Sequence, residues 1–195
     1  LIGLVYHHQS EYDNALVYHE QALSIEKEVL GDRHFRISNT LHCIGDDYIG
    51  KEEYDKALSY HEEALAIRMD TLDEKHSYIA ASYHNIGDIY IGKGELDKAL
   101  SYQEKALAMF KETLGMNHNF TAETLHSIGK VYAHKGDLKE SLIYYEEALP
   151  IFQDVLGKQN EKTLGIIKDI IRCYEESGDT DRAAEYKARL KEQDS

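Results

Sequence analysis

The stretch IGDIYIGKGELDKALSYQEKA, residues 86–106, decides the fold because it returns along the chain at a fixed interval. Forty-two residues earlier the chain reads IGDDYIGKEEYDKALSYHEEA, residues 44–64. The same interval relates Gly3, Gly45, Gly87 and Gly129; Ala15, Ala57, Ala99 and Ala183, with Ser141 at the intervening position; Ala22, Ala64, Ala106 and Ala148; and Tyr6, Tyr48, Tyr90, Tyr132 and Tyr174. A period of roughly 20–50 residues is typical of solenoids, in which each unit buries its apolar face against its neighbours.

The composition favours a folded helical protein. Of the 195 residues, 42% are hydrophobic and 30% are charged, with one proline and no tryptophan. These values argue against a disordered or collagen-like chain. No segment approaches the roughly 18 apolar residues of a membrane helix, so we expect no membrane insertion. The net charge of −14 argues against a nucleic-acid partner, because phosphate contacts depend on Lys and Arg.

The two cysteines and the two ends of the chain give weaker indications. Cys43 and Cys173 lie in repeats that are not adjacent, so we expect no disulfide between them and predict a cytoplasmic location. The chain begins within a repeat at Leu1, and we expect this truncated repeat to expose apolar surface that supports weak self-association. The last predicted helix, residues 181–193, is the most polar, as is typical of a repeat that caps a solenoid.

Each repeat is predicted to be a pair of helices joined by a tight turn. Residues 36–50 carry an apolar stripe with helical spacing, and residues 54–72 carry a second one. Gly94 stands between the equivalent helices of the next repeat, where a left-handed residue commonly ends a helix. We predict ten helices, the first truncated, in a single array over residues 1–195. Its repeats are 1–31, 32–73, 74–115, 116–157 and 158–195.

The repeated stretch resembles the tetratricopeptide repeat (TPR) family. The residues that carry the resemblance are Ile86-Gly87-x-x-Tyr90, Gly94, Ala99 and Ala106. The usual unit of that family has about 34 residues. The unit of 42 residues, with the loop Leu114-Gly115-Met116-Asn117-His118, is similar to the repeats of kinesin light chain. The resemblance implies an all-α, right-handed TPR superhelix (α-solenoid) of antiparallel helix pairs.

Eleven histidines raise the question of a metal site. Most of them recur at equivalent positions of successive repeats, and packed helices place such positions roughly 8–10 Å apart. Zinc ligands must instead converge within about 2 Å of the metal. We therefore predict no metal site and no cofactor. We expect the loop histidines, His34, His76 and His118, to hydrogen-bond the ends of helices.

Two further kinds of chemistry are not supported by the pattern. Residues 45–51 and 87–93 resemble a phosphate-binding loop, but each lacks the following Ser or Thr and the preceding strand of that motif. Carboxylates are abundant, yet no Ser or Cys has a plausible histidine partner. We therefore predict that the protein is not an enzyme.

The resemblance implies that the first helix of each pair lines a concave groove for a partner. The family's groove positions correspond in this sequence to Asn39, His42 and Asp46; Ala81, His84, Asn85 and Asp88; Glu123, His126, Ser127, Lys130 and His134; and Lys168 and Arg172. The pairs His42/Asp46 and His84/Asp88 have the i, i+4 spacing of neighbours on one helix face.

We predict a non-enzymatic scaffold that binds an extended or short helical peptide segment of a partner protein. The acidic groove positions lie in the second and third repeats and the basic ones in the fourth and fifth. We therefore hypothesise a peptide with basic residues toward the earlier repeats and acidic residues toward the fifth. The alternative is a structural spacer or self-association arm of a larger multidomain protein, which concentration-dependent mass would distinguish.

Overall fold

The structure, a computed structural model, describes residues 1–193, and the side chains of residues 1–191. Its helices are α1 (Ile2–His8), α2 (Tyr12–Leu30), α3 (Phe35–Gly50), α4 (Tyr54–Thr71), α5 (Ser77–Gly92), α6 (Leu96–Thr113), α7 (Asn119–His134), α8 (Leu138–Val155), α9 (Glu161–Ser177) and α10 (Thr180–Gln193). The ten predicted helices are confirmed within the described residues. Helices α3 and α4 begin and end within one residue of the predicted limits.

The helices are distributed over two compact units, Leu1–Tyr102 and the part of the chain from Gln103 onward. Helix α6 runs across the boundary. In the first unit α1 packs on α2, α2 on α3, α3 on α4 and α4 on α5. In the second unit α7 packs on α8, α8 on α9 and α9 on α10. Packing between helices that follow each other along the chain is what a series of helix pairs requires. That all five repeats form one continuous array stays a prediction.

The recurring glycines of the first helices leave room for rings of the second helices. A Cβ atom on Gly45 would lie 2.6 Å from Cδ2 and Nε2 of His61, and one on Gly129 would lie 2.4 Å from the ring of Tyr145. Both rings are buried. The glycine series therefore reflects a side chain that enters from the partner helix, sixteen residues later in the sequence.

The recurring tyrosines stack in pairs, one pair for each repeat. Their ring centroids lie 5.5–5.8 Å apart, a typical separation for aromatic pairs. The pairs are Tyr6–Tyr18, Tyr48–Tyr60, Tyr90–Tyr102, Tyr132–Tyr144 and Tyr174–Tyr186. Each pair joins the two helices of one repeat.

The turn inside each helix pair contains a left-handed residue, as predicted. Gly94, Gly136 and Gly178 have φ values of +74°, +79° and +81°. The equivalent residues in the first two repeats are Ser10 and Glu52, with φ values of 60° and 58°. These two residues adopt a left-handed backbone conformation that ordinarily favours glycine.

The loop histidines cap the helices that follow them, which confirms the expectation from sequence. In His34, His76 and His118, Nδ1 accepts a hydrogen bond of 3.2 Å from the backbone N–H two residues later. Asn160 makes the corresponding contact in the fifth repeat, where its Oδ1 accepts from the N–H of Lys162 at 2.9 Å. Each cap satisfies a backbone donor that has no partner inside the helix.

Two further observations concern the environment of the chain. Within residues 1–193, none of the helices has the length and apolarity needed to cross a membrane. Cys43 and Cys173 are both free thiols. The cytoplasmic location stays a prediction.

Candidate functional site

The residues predicted to bind a partner all lie on the first helices of the pairs, α3, α5, α7 and α9. Most are half-buried. The exposed ones are Asp88, His134, Lys168 and Arg172. Ser127 is only 5% exposed and therefore offers little surface to a ligand. Most of the other predicted residues contact neighbouring side chains of the same unit.

In the first unit, α3 and α5 are joined by a contact between two predicted residues. The side-chain amide of Asn85 donates to Nδ1 of His42 at 3.1 Å. Burial lowers the pKa of His42 to about 4; Asp46 opposes this shift, and His61 and Arg68 make smaller contributions that lower the pKa further. His42 is therefore neutral at pH 7, and acceptance at Nδ1 places its proton on Nε2. That nitrogen lies 3.4 Å from Oδ2 of Asp46.

Asp46 also faces a histidine that the sequence analysis did not select. Nε2 of His61, on α4, lies 3.3 Å from Oδ1 of Asp46. Burial raises the pKa of Asp46, but His61 and His42 outweigh this effect, and the pKa lies below its usual value. The 42-residue register could have drawn attention to this position, because it holds His19, His61, Gln103 and Tyr145 in successive repeats.

A second residue missed by sequence reasoning is Arg68 on α4, which is 2% exposed. Its guanidinium donates to Oγ of Ser38 at 3.3 Å, the carbonyl oxygen of Tyr78 at 3.1 Å, Oγ of Ser82 at 2.7 Å and Oδ1 of Asn39 at 3.2 Å. All four acceptors are neutral, and burial lowers the pKa of Arg68. Arg68 thereby fixes Asn39, one of the predicted binding residues.

A third such group ties the first repeat to the second. The carboxylate of Asp47 is fully buried and contacts two histidines. Nδ1 of His7 lies 2.7 Å from one of its oxygens, and Nδ1 of His19 lies 2.6 Å from the other. These contacts join α1 and α2 to α3. Their role is to satisfy a buried carboxylate, which would be costly to leave without partners.

In the second unit, α7 and α9 are joined at the same register as α3 and α5. Nε2 of His126 lies 2.8 Å from Oδ2 of Asp169, and the guanidinium of Arg172 donates to Oδ1 of Asp169 at 3.0 Å. Burial raises the pKa of Asp169, but His126, Arg172 and Lys130 outweigh it, so the pKa lies below its usual value. Arg172, predicted as a basic binding residue, is therefore partly neutralised by a carboxylate of its own helix.

The remaining predicted residues have more local contacts. On α5, Nε2 of His84 lies 3.4 Å from Oδ2 of Asp88, as expected for an i, i+4 pair. On α7, the carboxylate of Glu123 accepts from the amide of Asn119 at 2.8 Å and also pairs with Lys162. Each unit therefore presents a first-helix face on which several of the polar side chains are already held by neighbours.

Comparison with known families and structures gives one consistent result. A family model described as tetratricopeptide repeat matches residues 1–70, 36–112, 78–154 and 120–191. No curated protein matches the sequence significantly.

Three solved structures illustrate the likeness in fold. A variant of the nearly identical TPR-like repeats of a Podosopora anserina protein assigned as a kinesin light chain is 21% identical, with a TM-score of 0.80 over 98% of this chain and 91% of that one. A Rap protein complexed with competence and sporulation factor is 17% identical, with a TM-score of 0.82 over 98% of this chain and 51% of that one. The Rap conjugation gene regulator of plasmid pLS20, in complex with a Phr peptide, is 18% identical, with a TM-score of 0.80 over 97% of this chain and 50% of that one.

Proposed function

Because the chain belongs to the tetratricopeptide repeat family, we propose that it is a non-enzymatic interaction scaffold whose first helices bind a peptide segment of a partner protein. The family and the all-α fold class predicted from the sequence are confirmed. The structural likeness to kinesin light chain repeats supports the 42-residue variant of the family. The peptide and its binding residues belong to the proposal.

The observation that carries the proposal is a cross-helix contact repeated in the two units. His42 meets Asn85 at 3.1 Å, and His126 meets Asp169 at 2.8 Å, with a sequence separation of 43 in both cases. Each contact holds polar side chains between adjacent first helices. A binding face whose side chains are already ordered lowers the entropic cost of association.

The exposed charges differ between the two faces. In the first unit the side chains of Asp46 and Asp88 are 36% and 44% exposed. In the second unit Lys168 is exposed, and the side chain of Arg172 is 53% exposed despite its contact with Asp169. We therefore propose that the peptide places basic residues on the α3–α5 face and acidic residues on the α7–α9 face.

The similar Rap structures add support for a peptide ligand. One is complexed with competence and sporulation factor, and the other with a Phr peptide. Their chains are about twice as long as the matched part, so they support only the capacity of this fold to hold a peptide.

The test is selection of peptides from a display library, followed by affinity measurement on purified protein. The binding variant carries Asn85→Ala, Lys130→Glu and Arg172→Glu. The control variant carries Lys139→Glu and Lys158→Glu, the same two charge reversals at exposed positions off the first helices. We expect selected peptides to lose at least tenfold in affinity for the binding variant and to keep their affinity for the control. Equal affinities for both variants, or for charge-reversed peptides, would contradict the proposal.

The alternative function, a self-association arm, is favoured by one specific observation. Apolar side chains of α1 and α2 are exposed, including Ile25 at 62% and Val29 at 73%. If this surface mediates assembly, sedimentation should show a mass that increases with concentration. Ile25→Glu together with Val29→Glu should then abolish the increase. If the measured mass stayed that of the monomer at all concentrations, the self-association arm would be contradicted and the peptide scaffold would be favoured.

A further inference from the structure

Three side chains of the first unit converge on one point between α3 and α4. One ligand atom from each of His42, Asp46 and His61 lies within 4.8 Å of the other two. Oδ2 of Asp46 is 3.4 Å from Nε2 of His42, and the other oxygen, Oδ1, is 3.3 Å from Nε2 of His61. Ligand atoms around a tetrahedral zinc ion, each about 2.0–2.1 Å from the metal, lie roughly 3.3–3.5 Å apart.

The His61 ring supplies an independent indication of a ligand. It is 1% exposed, and neither of its nitrogens has a hydrogen-bond partner among the residues that the structure describes. Its approach to Asp46 is close enough for an electrostatic contact but is not aligned as a hydrogen bond. Leaving a buried polar atom without a partner is energetically unfavourable. A metal ion at the point where the three side chains converge would satisfy Nε2 directly.

The chemistry of the donor set suits a cation, because a metal ion takes imidazole nitrogen and carboxylate oxygen as ligands. The side chains of His42 and Asp46 are 27% and 36% exposed, so an ion can reach them from solvent.

We propose that His42, Asp46 and His61 form a binding site for a divalent transition-metal ion, with Zn²⁺ as the expected occupant. Two imidazoles and one carboxylate are a known zinc ligand set, and the fourth position is left to water. The i, i+4 spacing of His42 and Asp46 places both on one face of α3, and α4 contributes His61. The site does not depend on the proposed peptide binding.

Asn85 acts as a positioning residue for this site. When Nε2 of His42 binds the metal, its proton moves to Nδ1, and the Asn85 amide must turn so that Oδ1 accepts it. Such outer contacts fix the orientation of a ligating imidazole, and their loss typically weakens metal binding by about 10–100-fold. The positive charge of Arg68, which already acts on His42, opposes a cation. We therefore expect weaker binding than at a structural site with four protein ligands.

The chain contains its own control. The third repeat has the same pair, His84 and Asp88, but Gln103 stands at the position equivalent to His61. The fourth repeat has Lys130 and Tyr145 in place of the Asp and the second His. The second repeat is therefore the one in which the sequence provides all three ligands.

The experiment is titration of the whole chain with Zn²⁺ at pH 7.5, by calorimetry and by competition with a chromophoric chelator. The ligand variants are His61→Gln, which introduces the residue of the third repeat, and Asp46→Asn. The control variant combines His84→Gln with Asp88→Asn. Circular dichroism and a thermal melt without metal establish that each variant is folded.

We expect one zinc ion per wild-type chain, bound at least tenfold more tightly than any further ions that the other histidines take up. This tight binding of the first zinc ion should disappear in both ligand variants and persist in the control. The ion should also raise the Tm of the wild type and the control, since it binds the native state. If His61→Gln fails to fold, Asp46→Asn alone decides. The proposal would be overturned if the wild type bound no zinc ion more tightly than the others, or if the folded ligand variants bound the first ion as tightly as the wild type.

Discussion

His126 and Asp169 join α7 to α9 through a contact of 2.8 Å between Nε2 and Oδ2. The Asp169 side chain is 19% exposed and also accepts from Arg172, so its charge is satisfied from two sides. Replacing Asp169 with Asn keeps the volume but removes the charge. Because a hydrogen bond to a charged group contributes about 1.5–3 kcal/mol, we expect Asp169→Asn to lower the free energy of unfolding by about 2 kcal/mol at pH 7. Urea unfolding measures this difference.

The same carboxylate predicts a pH dependence of stability. The pKa of Asp169 is lower in the folded chain than the ordinary value of 3.8. Near and below pH 3.8 the unfolded state therefore binds more protons than the folded state, and stability decreases as the pH falls. The contribution is complete above the unfolded pKa and is lost as the pH falls through the folded pKa. Urea unfolding between pH 7 and pH 2 should show the wild type and Asp169→Asn converging at the acidic end. A constant difference would refute this account.

The left-handed backbone at Glu52 predicts a stabilising substitution. Its φ of 58° is costly for a residue with a Cβ atom, and the next repeat has Gly94 at this position. The left-handed conformation costs roughly 1–2 kcal/mol, from which the greater unfolded-state entropy of glycine subtracts roughly 0.5–1 kcal/mol. We therefore expect Glu52→Gly to stabilise the protein by about 0.5–1 kcal/mol, measured as an increased denaturant midpoint.

The matched control for this substitution is Glu62→Gly, in the exposed interior of α4. There the backbone is helical, and glycine should cost about 1 kcal/mol. Two shifts in the same direction would show that the turn conformation is not what distinguishes Glu52.

The close approach of Gly45 to His61 predicts the opposite effect of adding a methyl group. The new Cβ would lie 2.6 Å from the imidazole, which must then leave its buried position. Forced repacking of this kind typically costs about 1–3 kcal/mol, so Gly45→Ala should lower the denaturant midpoint. The control is Gly165→Ala in α9, where no atom from elsewhere in the described part of the chain lies within 4 Å of the new atom. Alanine should stabilise that helix by about 1 kcal/mol. Tolerance of Gly45→Ala would mean that the His61 ring can move without cost.

Features that depend on residues close together in the sequence could be predicted, whereas contacts between two helices could not. The helix limits, the left-handed turns and the histidine caps follow from short spacings that recur every 42 residues. The contact between Asp46 and His61 joins two helices, and periodicity does not state which side chains meet across a pair. The prediction of no metal site compared histidines at equivalent positions of successive repeats and histidine pairs within one helix. It did not consider two histidines on the two different helices of one repeat.

Arg68 was missed for a related physical reason. The positions 42 and 84 residues later hold Phe110 and Phe152, both buried, so the register indicates an apolar core residue. An arginine can occupy such a place only if polar groups surround it. Ser38, Ser82 and Asn39 supply them, but each looks like an ordinary polar position of a helix when the sequence is read alone.

Arg68 gives the last prediction, which separates its hydrogen bonds from its charge. Lysine keeps the charge, but its single nitrogen cannot reach Ser38, Ser82 and Asn39 together. We expect Arg68→Lys to cost about 2–3 kcal/mol, because the lysine charge stays buried while most of its hydrogen-bond partners are lost. Phenylalanine removes the charge and supplies the side chain of the later repeats, so Arg68→Phe should cost less. It should also raise the pKa of His42 from about 4, because the Arg68 charge lowers it. Denaturant unfolding and NMR titration of the His42 ring measure both effects. If Arg68→Phe were the more damaging variant, the buried charge itself would be required for the fold.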